Sequence, residues 1–216
     1  VLEDAENQKE KTQKLSSNLA KYLPPQIHEA IFSGKFETGI ATKRKKLTIF
    51  FSDIANFTST SEGLQPEDLT KYLNEYFSEM TAIALECGAT IDKYIGDAMM
   101  AVWNAPIDVE HHEEKAIQTA LQIRHAMQEA ELDIEIGIGI NSGEVVAGNM
   151  GSDSRFEYSV LGDACNLAAR LESSCKTVGK NLVIGEATIN KYKGKAIELD
   201  SILVKGKEKP VKIYTI

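Results

Sequence analysis

The chain has 216 residues, 43% of them hydrophobic, and 24 Lys and Arg against 32 Asp and Glu leave a formal charge of −8. That length suits one domain with an appendage, and the negative balance argues against a nucleic-acid-binding face, which is usually basic. No apolar run reaches the roughly 18 residues of a membrane-crossing helix, the polar first ten residues are unlike a secretory leader, and three cysteines without metal-type spacing (Cys87, Cys165, Cys175) point to a reduced, cytoplasmic setting. The chain opens on Val and not on Met, so we expect it to be a piece of a longer protein.

Residues 1–23 predict a helix. Val1, Ala5, Gln8, Thr12, Leu15, Leu19 and Tyr22 follow alternating steps of four and three, the spacing of a coiled-coil seam. This reads either as a parallel helical pair feeding a dimer or as an ordinary amphipathic helix. Pro24-Pro25 ends it, and a short helix at 26–32 leads to a loop around Gly34 and Gly39. The basic run Lys43-Arg44-Lys45-Lys46 reads as a solvated entry to an apolar strand at 47–52. A short helix at 53–62 and a long one at 66–87 follow, with Pro66 at the start of the second. Strands at 90–95 and 98–103 flank Gly96-Asp97, a hairpin signal.

Residues 110–131 are helical, with Ala116, Ala120, Ile123 and Met127 on one face. The adjacent histidines of His111-His112-Glu113-Glu114 point different ways on such a helix, so no metal site is read there. Ile134, Ile136, Ile138 and Ile140 alternate with Glu135, Gly137 and Gly139 as in a strand. Further strands are expected at 145–148 and 158–161, then a helix from an Asp163 cap to about residue 175. The tail adds short strands, one small helix and the turn Lys205-Gly206-Lys207. Together these elements predict an α+β sheet covered by helices, with residues 1–45 as a helical linker and 46–216 as the main domain.

Two constellations carry chemistry. Asp53 ends the apolar strand Leu47-Thr48-Ile49-Phe50-Phe51-Ser52, and Asp97 sits in the hairpin tip. Carboxylates there are costly to desolvate without a cation, and one or two Asp residues with phosphates completing the shell are how proteins usually hold magnesium. The plainer alternatives are a helix cap and a turn residue. Asn166 and Arg170 lie four apart, on one face of a helix otherwise rich in Leu and Ala. A guanidinium there suits a phosphate, or else an ordinary helix salt bridge.

Three longer motifs carry a resemblance. The stretch from Leu47 through Asp53-Ile54-Ala55-Asn56-Phe57-Thr58 is similar to the first metal motif of the class III adenylyl and guanylyl cyclases. Ile91-Asp92-Lys93-Tyr94-Ile95-Gly96-Asp97-Ala98-Met99-Met100-Ala101 resembles their second. The stretch from Tyr158-Ser159-Val160-Leu161-Gly162-Asp163 to Asn166-Leu167-Ala168-Ala169-Arg170-Leu171-Glu172 resembles their third. The resemblance implies a ferredoxin-like βαββαβ palm with extra strands and helices. It also implies a head-to-tail homodimer with two shared sites, each converting ATP to cyclic AMP and pyrophosphate with two Mg²⁺ or Mn²⁺ ions. By motif, Asp53, Asp97 and the Ile54 carbonyl would hold the metals, Lys93 and Ser159 would read the base, Asn166 would orient the ribose, Arg170 would neutralise the α-phosphate, and Lys205 would reach the triphosphate. Asp53, Asp97 and Lys93 are expected in one half of the site, and Ser159, Asn166 and Arg170 in the other.

Lys93 favours adenine, whose N1 accepts, whereas the guanylyl enzymes typically carry Glu there. Ser159 departs from the usual Asp or Thr, and its hydroxyl can both accept and donate, which predicts looser discrimination. Glu135 and Gly137 occupy a strand where many relatives carry an Arg, and Asn141 replaces a common His. The alternatives are a guanylyl or dual-specificity cyclase, a non-catalytic cyclase-like dimer, and a polymerase palm, which the negative charge opposes. The helical N-terminus implies an upstream sensor that sets how the two halves meet.

Overall fold

The computed structural model describes residues 2–34, 42–129, 134–203 and 210–216; Lys205 and its turn lie outside the described residues. In chain order come helices α1 (Leu2–Leu19) and α2 (Pro25–Phe32), strand β1 (Thr42–Ile54), helices α3 (Phe57–Glu62) and α4 (Pro66–Glu86), then strands β2 (Thr90–Ile95) and β3 (Ala98–Trp103). Helix α5 (His112–Glu129), strands β4 (Ile136–Ser152) and β5 (Arg155–Leu161) and helix α6 (Asp163–Val178) follow. Strand β6 (Leu182–Gly185), helix α7 (Glu186–Ile189) and strands β7 (Ile197–Ile202) and β8 (Val211–Thr215) complete the chain. Among the described residues no helix is long and apolar enough to cross a membrane.

The strands form one sheet in the order β2-β3-β1-β4-β6-β8-β7, with β5 folded back on β4. Its first four strands, with α4 and α5 as crossovers, are the predicted βαββαβ palm. Strand alternation sorts the core into two layers. Phe50 and Ile54 of β1 and Ile136, Ile138 and Ile140 of β4 join Met80 of α4 and Ile117 and Ile123 of α5 on one face. Leu47, Ile49 and Val145 join Ala164 and Ala168 of α6 on the other.

Two strands run longer than their apolar cores. β1 starts at Thr42, so the cationic run lies inside it, paired only with β4 because β3 reaches no further than Thr48. The expected strands at 134–140 and 145–148 are one strand, β4. Its alternating glycines face α6: a Cβ on Gly139 would lie 2.1 Å from the Glu172 amide nitrogen and 2.4 Å from the Ala168 carbonyl oxygen. Bare backbone at Gly139 therefore lets α6 lie directly on the sheet. Asp163 begins α6 and Gly162 precedes it as the cap, while the stretch expected as a helix from 53 is the end of β1, a turn and α3.

Ahead of the palm, Gln26 Nε2 donates to the Ala89 carbonyl at 2.9 Å, fastening α2 beside the start of β2. Leu15, Leu19 and Tyr22 of the expected seam are exposed.

A row of buried hydroxyls joins the layers. Thr48 Oγ1 lies 2.7 Å from His112 Nδ1 and 2.8 Å from Ser142 Oγ, which lies 2.8 Å from Thr188 Oγ1. Burial holds the His112 imidazole below its ordinary pKa, with Glu113 opposing and Lys46 and Lys45 reinforcing the shift. The unfolded chain therefore takes up this proton more readily. The contribution of neutral His112 is fully present above its ordinary pKa of about 6.5 and is lost as pH falls below it. The urea midpoints of wild type and His112→Asn, measured from about pH 8 down to about pH 5.5, are expected to differ most at the alkaline end and to converge on acidification.

Candidate active site

The end of β1 lies beside the β2–β3 tip, because Ser52 pairs with Met99. The backbone amide of Ile54 donates to both carboxylates, at 3.1 Å to Asp53 Oδ1 and 3.1 Å to Asp97 Oδ2. Burial pushes the Asp53 carboxyl up to about 7, helped by the hydrogen bond and charge of Asp97 and by the charge of Glu172, and opposed by the Ile54 amide. Carboxylates this close stay together only around a proton or a cation. Among the described residues no three His, Cys, Asp or Glu side chains gather into a metal cage. Two carboxylates leave most ligand positions to phosphate and water, the shell magnesium prefers, so the donor set fits the expected metals.

Glu172 was not foreseen from the sequence. Its Oε1 would meet a Cβ on Gly137 at 3.0 Å, and Gly137 pairs with Asp53. Burial pushes this carboxyl up as well; the Ser173 hydroxyl opposes the shift and the Asp97 charge adds to it.

Lys93 and Ser159 come together on one chain. The pairing of β2 with β3 slips between Ile91 and Lys93, a bulge that re-aims side chains. Asp92 and Lys93, which strict alternation would send to opposite faces, consequently both meet β5. Ser159 Oγ donates to Asp92 Oδ2 at 2.9 Å, and Lys93 pairs with Glu157. Burial pushes the Asp92 carboxyl up, against the Ser159 hydroxyl, the Lys93 charge and the Val160 amide. The sequence expected Lys93 and Ser159 in different halves of a shared site; on one chain β5 folds back beside β2 and brings them to one edge, a juxtaposition that sequence order does not carry. A cavity of about 650 Å³ separates this edge from the turn between α1 and α2, with Tyr22, Pro24, Lys93 and Glu157 in its wall.

Asn166 is exposed and Arg170 half-buried on α6. Neither side chain has a hydrogen bond or ion pair among the described residues, so Arg170 makes no ordinary helix salt bridge. Asn141, the position that departs from His, donates from Nδ2 to the Ala164 carbonyl at 3.0 Å and ties the first turn of α6 to β4. Ala168 and Glu172 face β4 at Gly139. Arg170 lies two residues from each, about 200° round the helix at about 100° per residue. It is turned away from Asp53 and Asp97 of its own chain.

Residues 40–216 match the family model described as the adenylate and guanylate cyclase catalytic domain. An adenylate cyclase of Anabaena cylindrica is 36% identical over 193 residues, 83% of this chain and 38% of that protein. The crystal structure of the adenylyl cyclase CyaB from P. aeruginosa is 38% identical, with a TM-score of 0.74 over 81% of this chain and 95% of that one. A bacterial light-regulated adenylyl cyclase is 27% identical, with a TM-score of 0.87 over 99% of this chain and 62% of that one. Guanylyl cyclases are also among the similar solved structures. The chain spans 10–38% of the length of the curated adenylate cyclases it matches.

Proposed function

The chain belongs to the adenylate and guanylate cyclase catalytic domain family, and we propose that it is an adenylyl cyclase, converting ATP to 3′,5′-cyclic AMP and pyrophosphate at sites shared by two copies in a head-to-tail homodimer. The observation that carries this reading is the pair Asp53 and Asp97, bridged by the Ile54 amide, while Arg170 of the same chain faces elsewhere. In this reading residues 1–45 form a helical linker to an upstream sensor, the exposed Leu15, Leu19 and Tyr22 being the seam of a helical pair, and 46–216 form the catalytic domain.

Asp53, Asp97 and the Ile54 carbonyl would hold two Mg²⁺ or Mn²⁺ ions. When bound, these would supply Lewis-acid activation of the ribose 3′-hydroxyl and charge neutralisation on the leaving pyrophosphate. The partner chain contributes the rest. Lys93 donates to adenine N1 once it leaves Glu157, and Ser159 accepts from the adenine amino group. Asn166 orients the ribose so that the 3′-oxygen stands in line with the α-phosphorus, Arg170 neutralises charge developing on the α-phosphate, and Lys205 reaches the triphosphate. The barrier falls through positioning and charge stabilisation. In this reading Lys93 serves the same half as Ser159, Asn166 and Arg170, which the Asp92–Ser159 and Lys93–Glu157 contacts support.

The test is product analysis of the purified domain given ATP or GTP separately, with magnesium or manganese. Cyclic AMP is expected. Predominant cyclic GMP would overturn the base assignment and leave the shared metal site standing, whereas no cyclic product from a verified dimer would move the reading to a regulatory module.

A further inference from the structure

We propose that Asp92 is a specificity-determining positioning residue, which makes Ser159 an acceptor toward the base by taking its hydroxyl proton; this rests on the reading of Ser159 as a base contact. A serine hydroxyl has one proton to donate and two lone pairs. If the proton is free to turn, Ser159 can accept from the 6-amino group of adenine or donate to the 6-carbonyl of guanine, and the two bases are poorly told apart. A carboxylate only accepts. With Ser159 Oγ donating to Asp92 Oδ2 at 2.9 Å, the proton is committed inward and lone pairs alone face outward. Adenine finds its acceptor, and the guanine carbonyl meets another oxygen without a proton between them.

The local backbone is built for this contact. The slip in strand pairing between Ile91 and Lys93 turns two consecutive side chains toward β5, so that Asp92 reaches Ser159 and Lys93 reaches Glu157. Ser159 and Glu157 are two apart on a strand and share its face. The departure from Asp or Thr at Ser159 is thereby offset from the neighbouring strand, because a carboxylate standing behind the serine supplies the polarity that the serine lacks.

Steady-state kinetics with ATP and with GTP, on wild type, Asp92→Asn, Asp92→Leu, Ser159→Ala and the double variant Asp92→Leu/Ser159→Ala, test the proposal. Releasing the hydroxyl is expected to raise the GTP-to-ATP ratio of kcat/KM about tenfold in Asp92→Leu, the size of one hydrogen-bond difference, and less in Asp92→Asn, whose amide oxygen still accepts. Asp92→Leu is expected to change nothing further once Ser159 is Ala. Both substrates are compared on the same sample, so partial unfolding lowers both rates and leaves the ratio alone. A ratio within about twofold of wild type in folded Asp92→Leu overturns the proposal, as does an equal effect of Asp92→Leu with and without Ser159. If Ser159→Ala itself leaves the ratio unmoved, it is the base-contact reading that fails.

Discussion

Mixing Asp53→Ala chains with Arg170→Ala chains is expected to return one working site to every mixed dimer, whereas mixing Lys93→Ala with Arg170→Ala is expected to return none. The Asp53→Ala and Arg170→Ala parent homodimers should each lose on the order of 10²–10³ in kcat, the cost of removing a principal charge-stabilising group. Arg170→Ala should lower kcat and kcat/KM together, because its interaction forms in the transition state. In the Asp53/Arg170 mixture the two lesions fall in the same site of the heterodimer and the other site is whole, so about half the wild-type rate returns. The second mixture tests which half holds the base-reading lysine. The Lys93–Glu157 and Asp92–Ser159 contacts join Lys93 to the strand that leads into α6. With Lys93 and Arg170 in one half, each site of the mixed dimer keeps one lesion. Recovery in the Lys93/Arg170 mixture would return Lys93 to the metal half, and no recovery in verified Asp53/Arg170 heterodimers would refute the shared site. Tandem affinity tags, one on each chain, isolate the heterodimers for the assay.

Gly139→Ala is expected to be a strongly damaging change for its size. The added methyl would meet the Glu172 amide nitrogen at 2.1 Å, the Ala168 carbonyl oxygen at 2.4 Å and the Glu172 Cα at 2.8 Å. All three are backbone atoms of a helix, so no side chain can swing aside and α6 must lift from the sheet. Overpacking of this kind costs about 1–3 kcal/mol or more, which in a chain of this length lowers Tm by roughly 2–4 °C per kcal/mol. Because α6 carries Asn166 and Arg170 on its outer face, kcat should fall at temperatures where the variant is still folded. Scanning calorimetry with an assay well below the transition separates the two effects. A Tm and kcat indistinguishable from wild type would show that α6 does not sit on the sheet as described.

Much of this was legible in the sequence, and the exceptions share a cause. The β2–β3 hairpin was readable to the residue because its signal is local: two apolar runs around Gly96-Asp97. The palm order followed from motif resemblance, which also put forward Asp53, Asp97, Asn166 and Arg170 as candidates. The ends of β1 were not readable. Lys43 to Lys46 have poor strand character, and they are extended because the far half of β4 pairs with them. Gly137 and Gly139 read only as part of a strand's alternation, yet they are spaces cleared for α6, which only the packed structure reveals. Asp92 and Glu172 escaped notice for the same reason. Asp92 matters because a bulge turns it toward β5, and Glu172 because bare backbone at Gly137 admits its carboxylate beside Asp53.

The β2–β3 hairpin has one more consequence. It carries Lys93 on its first arm and Asp97 at its tip, with Tyr94, Ile95 and Gly96 between them. In the proposed shared-site dimer these two residues would serve different nucleotides, Asp97 in one pocket and Lys93 in the other. Three residues of strand and turn are then the whole mechanical distance between the two substrates. In that reading, drawing Lys93 off Glu157 to meet one base is expected to pull on the strand from which the other pocket's carboxylate hangs and so to couple the filling of the two pockets. The Hill coefficient for ATP is then expected to depart from one, and a shortened or stiffened tip to change it before it changes the rate of either site alone; a coefficient of one in both wild type and tip variant would refute the coupling.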